Sequence, residues 1–438
     1  MSALSLGLYP MIIAVMNLFS FTDKSQMLVL LMYCSILAAQ LIYKTLYFKP
    51  LNLLSLFAAS YLIPFYYYHF GGRIITSYSH SNQIYLLNKY LLLYALFLLM
   101  VLLFAGSFRN LRNIEIPKLN NALIFYVNIT ICVLIALFSK SGESIFSSGG
   151  YGLSEIENIG GFAIGEYFIL FFFIAFKFSS SGSWSKFLLI SVAVLYILVS
   201  FSYGLRNEFI QMAILLFILF YKEKRTFGLY LVLVSGAIYF SSLFSSFRSN
   251  PIEFLQRPLL ENLSLKSVFA SPDDFYISHQ GDVVHSSSRL ISFVDNGIIP
   301  FETRMSSFVG WLSSSVIPWR FLPEEANMAA YMKDQYPTGG GGSPFAYFYF
   351  WLSYPGVILI GVIVGLIIRG YTRHIGSLYG VYFVIIVATF PRWLSYSPIN
   401  FIKMGVYGFI IYIAFVFLNY ILRHWKVSSA SNGLVISD

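Results

Sequence analysis

Apolar runs of about 20 residues recur along this chain, and about 20 residues is what an α-helix needs to cross a hydrocarbon core about 30 Å thick. They lie near residues 4–21, 26–43, 51–70, 84–108, 121–138, 161–179, 185–204, 207–221, 227–246, 346–368, 377–391 and 401–421, the eighth being short. Within a bilayer no water pairs the backbone N–H and C=O groups, so runs of this length must form helices that satisfy them internally. The expected fold is therefore all-α, a polytopic integral membrane protein of about 12 transmembrane helices. Composition agrees. Of 438 residues 58% are hydrophobic and 11% charged, with 44 Phe and 33 Tyr, outside the range of soluble domains. The first run has neither a basic segment before it nor a small-residue cleavage site after it, so it reads as a span and not as a signal peptide.

Basic residues alternate across these runs as the positive-inside rule requires. With both termini cytoplasmic, the inner segments hold 14 Lys and Arg and the short outer loops hold 6: Lys24, Arg73, Lys140, Arg206, Arg392 and Lys403. The net charge of +9 thus follows the membrane and calls for no nucleic acid. Cys34 and Cys132 both sit inside apolar runs, which leaves no disulfide framework and no thiolate metal site.

One connection stands apart. Residues 247–343 form a long polar outer loop between an N-terminal bundle, 1–246, and the C-terminal helices and tail, 344–438. Loops of this length usually carry function. At its start, Ile252, Leu255, Leu259, Leu263 and Val268 recur at near-helical spacing. That pattern suits a helix on the membrane surface or one packed on the spans.

The loop holds five arginines (Arg248, Arg257, Arg289, Arg304, Arg320) and only two lysines, whereas the inner segments hold six arginines and eight lysines. Arginine's planar fork takes phosphate or carboxylate bidentately, so an outer surface that selects it suggests an anionic ligand. Ten acids bring the loop to a net charge of −3, so internal ion pairing competes for each arginine taken singly. Arg206 and Arg392, at the edges of spans, fall on the same side. Glu208, two residues after Arg206, can act as its neutralising partner.

In this order along the chain, the residues resemble the Wzy-type O-antigen polymerases, which join lipid-linked oligosaccharide repeat units. The stretch "SYGLRNEFIQMAILLFILFY" is similar to that family's arginine-bearing helix start and carries over Arg206, its nearest pattern being the enterobacterial common antigen polymerases. "SSLFSSFRSNP" carries over Arg248, and "HSSSRLISFVDNG" carries over Arg289. "SSSVIPWRFLPEEAN" followed by "YPTGGGGSPFAYFYFWLSYPG" resembles the proline-rich stretch, glycine turn and return helix. Arg320, Gly339, Gly340, Ser343 and Tyr347 are thereby implied in substrate binding. "FPRWLSYSP" carries over Arg392. The glycine run is richer than that family's usual turn, and a hinge is the competing role for Gly339 to Gly342.

The resemblance implies a GT-C-like architecture in the bacterial inner membrane with its active site facing the periplasm. The substrate would be undecaprenyl-diphosphate-linked oligosaccharide, with a chain-length-determinant co-polymerase as partner. No metal or cofactor is called for, since fixed guanidinium groups can stabilise the departing diphosphate. The chain also lacks Asp-x-Asp and nucleotide-binding glycine signatures. A base for the acceptor hydroxyl would come from Asp295, His279, His285 or Asp282, Asp295 being preferred. Trp311, Trp319, Tyr347 and Trp351 can stack on sugars or form the interfacial aromatic belt. Competing functions are an O-antigen ligase, a lipid-linked oligosaccharide flippase and a membrane acyltransferase. Unlike halves, and only Lys89 and Glu166 well inside the runs, argue against a flippase.

Overall fold

The computed structural model describes residues 24–71, 73–74, 83–106, 116–138, 162–202, 206–220, 275–276, 279–314, 317, 321–322 and 341–432. Among them the chain is helical apart from a two-residue parallel ladder. The elements are α1 (Lys24–Thr45), α2 (Lys49–Ser60), α3 (Ile63–His69), β1 (Arg73–Ile74), α4 (Gln83–Phe104), α5 (Ala122–Phe138), α6 (Phe162–Phe178), α7 (Ser183–Ser202) and α8 (Arg206–Phe220). They continue as β2 (Phe275–Tyr276), α9 (His279–Asp295), α10 (Phe301–Ser313), α11 (Pro344–His374), α12 (Gly380–Ala388), α13 (Phe390–Ser395) and α14 (Asn400–Asn432).

Among the described residues, five helical stretches are long and apolar enough to cross a membrane: Lys24–Thr45, Ile84–Phe104, Ser183–Ser200, Pro344–His374 and Asn400–His424. Shorter apolar helices cover Ala122–Phe138, Tyr167–Phe178 and Asn207–Phe220. The expected spans at 4–21 and 227–246 lie outside the described residues, as does the patterned stretch 252–268.

Prolines account for where apolar runs fail to make one straight helix. The run at 51–70 is two helices, because Pro64 in the first turn of α3 has no N–H to continue the α2 ladder. The run at 377–391 likewise breaks between α12 and α13, where Pro391 follows Phe390. In α11 the break comes at Ser353 (φ 58°, ψ −146°), two residues before Pro355. Over the eight residues from Phe348 to Gly356 a straight helix rises about 12 Å. Here a Cβ on Gly356 would instead meet the Phe348 carbonyl, so the chain doubles back and only glycine fits the bend.

The chain forms two compact units that cut across its order. One comprises Met1–Arg112, Leu265–Arg373 and Thr389–Lys403; the other comprises Asn113–Ser264, His374–Ala388 and Met404–Asp438.

In the first unit, α4 is the axis. Its sequence is apolar all round, as a buried helix requires, and its side chains from Leu87 to Leu102 are almost all buried. Both legs of the α11 bend lie along it, in opposite directions. On the first leg Phe345 packs on Tyr90, Tyr94 and Phe97, and Tyr349 reaches up to the level of Lys89. On the second leg Gly361 lies against Phe97 and Met100, and Gly365 against Val101 and Phe104. α11 is therefore a hairpin whose first leg starts partway down α4 and whose tip is level with Lys89. Loop helix α9 packs on the same end of α4, and β1 pairs with β2 in the register Arg73↔Phe275. At the other end of α4, Lys44 Nζ donates to the Leu102 carbonyl at 2.8 Å.

The second unit is built on the α5–α6 pair with α7, α8 and α12 around it, and α14 packs there through Gly408 against Leu170 and Ile385. The Phe168 and Tyr196 rings stack at 3.7 Å. Asn121 Nδ2 donates to Asn419 Oδ1 at 2.8 Å, and Arg423 donates to the Leu119 carbonyl at 2.7 Å.

Candidate functional site

In the first unit, three residues before α11 form a strap. A Cβ on Gly341 would meet the Ser395 carbonyl at 2.5 Å and the Tyr396 Cα at 3.2 Å, so close passage over the end of α13 demands glycine. The Gly342 amide donates to the Tyr396 carbonyl at 3.3 Å. On its other side Gly342 faces Tyr347 and Leu290. Ser343 closes the strap. Its amide donates to Ser287 Oγ of α9 at 2.8 Å, and its hydroxyl meets Ser287 Oγ at 3.0 Å and the Tyr90 hydroxyl at 3.1 Å.

The strap leads into the N-terminus of the first α11 leg, where Pro344 occupies a position that needs no donor. That leg aims its partial positive charge back at Gly341 to Ser343. Phe345, two residues beyond the strap, packs on Tyr90, Tyr94 and Phe97, so the strap lies partway down α4, deeper than the Lys89 level of the hairpin tip. Arg392 stands beside it: its guanidinium covers the Tyr396 ring at 5.0 Å and acts electrostatically on Tyr347. A cationic group, a helix N-terminus and small side chains thus converge at one depth, an arrangement that can hold an anion.

Of the residues carried over by resemblance, Ser343, Tyr347 and Arg392 meet here. Tyr347 is 2% exposed and packs against Trp351, so in this conformation it shapes the wall of the site instead of presenting a free ring. Trp311 and Trp351 are buried against one another with ring centroids 4.9 Å apart, and form core. Arg289 is half-buried on α9. It follows Ser287 by two residues, about 200° round the helix, so it shares a face with His285 and not with the strap. Burial, helped by the Arg289 cation, pushes the His285 imidazole down to about 4. It is neutral at neutral pH and a weak base.

Asp295, the preferred base, has both carboxylate oxygens engaged. Tyr349 donates to Oδ1 at 2.6 Å and Tyr85 to Oδ2 at 2.8 Å, with Lys89 Nζ 3.8 Å from Oδ2. Asp282 is exposed on the first turn of α9.

In the second unit, Arg206 opens α8, and its side chain lies outside the described residues. Glu208 is buried and its Oε2 accepts from Tyr196 at 3.0 Å and Ser200 at 3.2 Å, so it has a role on α7 besides any pairing with Arg206. Arg248, Arg320, Gly339 and Gly340 fall outside the described residues, and of His279 only the backbone is described.

Sequence reading passed over Ser287, Tyr90 and the carbonyls of Ser395 and Tyr396. A serine inside a helix and a backbone oxygen carry no motif, and nothing in the sequence marks them. Comparison with protein-family models, with curated proteins and with solved structures returned no match.

Proposed function

We propose that this protein is a polymerase of the Wzy type, joining undecaprenyl-diphosphate-linked oligosaccharide repeat units on the periplasmic face of the bacterial inner membrane. One observation carries the reading: Arg392 and the N-terminus of the buried α11 leg converge on the Gly341–Ser343 strap, on elements that the sequence places at the outer side. Transfer of the glycan breaks its anomeric bond to the lipid diphosphate and forms one to the oxygen of an acceptor hydroxyl, whose proton passes to the departing diphosphate or to solvent. Negative charge grows on the diphosphate as it leaves. A fixed guanidinium and the positive end of a helix in a water-poor setting lower that barrier without having to reorganise. Arg206, Arg248, Arg289, Arg320, Gly339 and Gly340 are assigned to the lipid-linked substrates on the strength of the resemblance. A co-polymerase that sets chain length is the expected partner.

The test is glycan laddering in cells lacking the gene, complemented with wild type, Arg392→Ala or Arg206→Ala at matched membrane levels. Wild type restores long ladders. Arg392→Ala lowers polymer yield about 10²- to 10³-fold, the loss typical of removing one charge-stabilising donor, and leaves lipid A core bearing one repeat unit. A deletion strain whose core carries no repeat at all, with lipid-linked chains accumulating, points to a ligase or flippase and sinks the reading.

A further inference from the structure

The tip of the α11 hairpin is gripped from three directions. Lys89 Nζ stands 4.9 Å from the Tyr354 ring and 5.5 Å from the Tyr349 ring, so it faces both legs at the bend. Asp295 accepts from Tyr349, and Arg304 of α10 donates to the Phe350 carbonyl at 2.9 Å. The placement of Asp295 is otherwise adverse, since it is the last residue of α9 and a helix C-terminus disfavours an anion. Lys89 offsets that cost. Eight residues separate Asp295 from Ser287, the residue of α9 that holds the strap, which is about 12 Å along the helix. A proton on a group seated at the strap itself is beyond hydrogen-bond reach from there.

We propose that Lys89 and Asp295 are positioning residues, a clamp on the hairpin tip that sets the depth at which Gly341 to Ser343 stand. Asp295 acts through the tyrosines it holds and is not the base. The polymerase reading supplies what the strap binds; the clamp itself is also measurable as stability.

The experiment is a double-mutant cycle with Lys89→Met, Asp295→Asn and the pair together. It is read twice, as laddering in the deletion strain and as the thermal unfolding midpoint of the purified full chain in detergent. Removing one partner strands a buried charge or its counter-ion, while removing both strands neither. Each single variant is expected to lose polymer and melt lower. The double variant recovers polymer about tenfold or more over Lys89→Met and melts above it. A base behaves differently: Asp295→Asn and the double variant would then both lose about 10²- to 10⁴-fold at an unchanged midpoint, which overturns the proposal. Should wild type itself give no ladder, the polymerase reading falls and the midpoints decide the clamp alone. Losses that simply add overturn it, and a double variant melting above Lys89→Met upholds it.

Discussion

Arg304 shows what a guanidinium does when it is turned inward. It was one of five loop arginines that suggested an anionic ligand, yet it is 9% exposed, donates to the Phe350 carbonyl and lies 5.4 Å from the Phe301 ring. The helix break at Ser353 falls within the turn where a straight ladder pairs that carbonyl with the Tyr354 amide. Replacing Arg304 by Met leaves a buried acceptor without a donor, at a cost of about 1–3 kcal/mol. Arg304→Met should therefore melt well below wild type in a detergent thermal-shift assay, and Arg304→Lys should recover only part, because an ammonium lacks the guanidinium's fork. Equal midpoints for Arg304→Met and wild type would show that the contact carries nothing. At this scale the sequence was legible in kind but not in use: residue type announced an anion-seeking group, and only packing decided that a backbone oxygen would take it.

The element that organises the first unit is the α11 hairpin. Its composition reads as one long span, and Pro355 marks the weak point, since it cannot donate to the Trp351 carbonyl. Proline alone usually gives a kink. Doubling back needs Gly356 as well, where any Cβ runs into the Phe348 carbonyl. The same substitution at two glycines separates the causes. Gly297 sits at positive φ (+63°), which Gly356 does not, but has nothing within 4 Å of its would-be Cβ. Gly297→Ala should cost only the left-handed penalty of about 1 kcal/mol, whereas Gly356→Ala carries instead an overpacking cost of about 1–3 kcal/mol or prevents the bend. Unfolding midpoints of the two variants would rank them, and a Gly356→Ala chain as stable as Gly297→Ala contradicts the hairpin.

For the whole molecule, the alternation of basic loops makes a statement that the first unit can be asked to honour. Tyr47, 69% exposed, lies just beyond Lys44, which bonds α4 at Leu102; Asn296 lies just beyond Asp295, which meets α4 at Tyr85 and Lys89. Those contacts are 13 residues or more apart on one helix, about 20 Å, so the two positions stand at opposite ends of α4. Both native cysteines are buried and leave little background. Asn296→Cys in intact spheroplasts should react with a membrane-impermeant maleimide, and Tyr47→Cys only after permeabilisation. The reverse pattern, or labelling of both from one side, breaks the topology.

What the sequence determined by itself was the solvent and the class. Apolar runs of bilayer length and an alternating charge bias are local properties, because each run answers to water or lipid without reference to any other. Described helices start close to where those runs start for the same reason. What only the tertiary structure decided was where runs bend and which polar atoms meet. The strap at Gly341 to Ser343 depends on Ser287 and on the carbonyls of Ser395 and Tyr396, drawn from two other elements. Asp295 read as a candidate base because it lay near Arg289 in sequence. In space its oxygens belong to Tyr85, Tyr349 and Lys89, since a part-buried charge takes the partners that packing supplies.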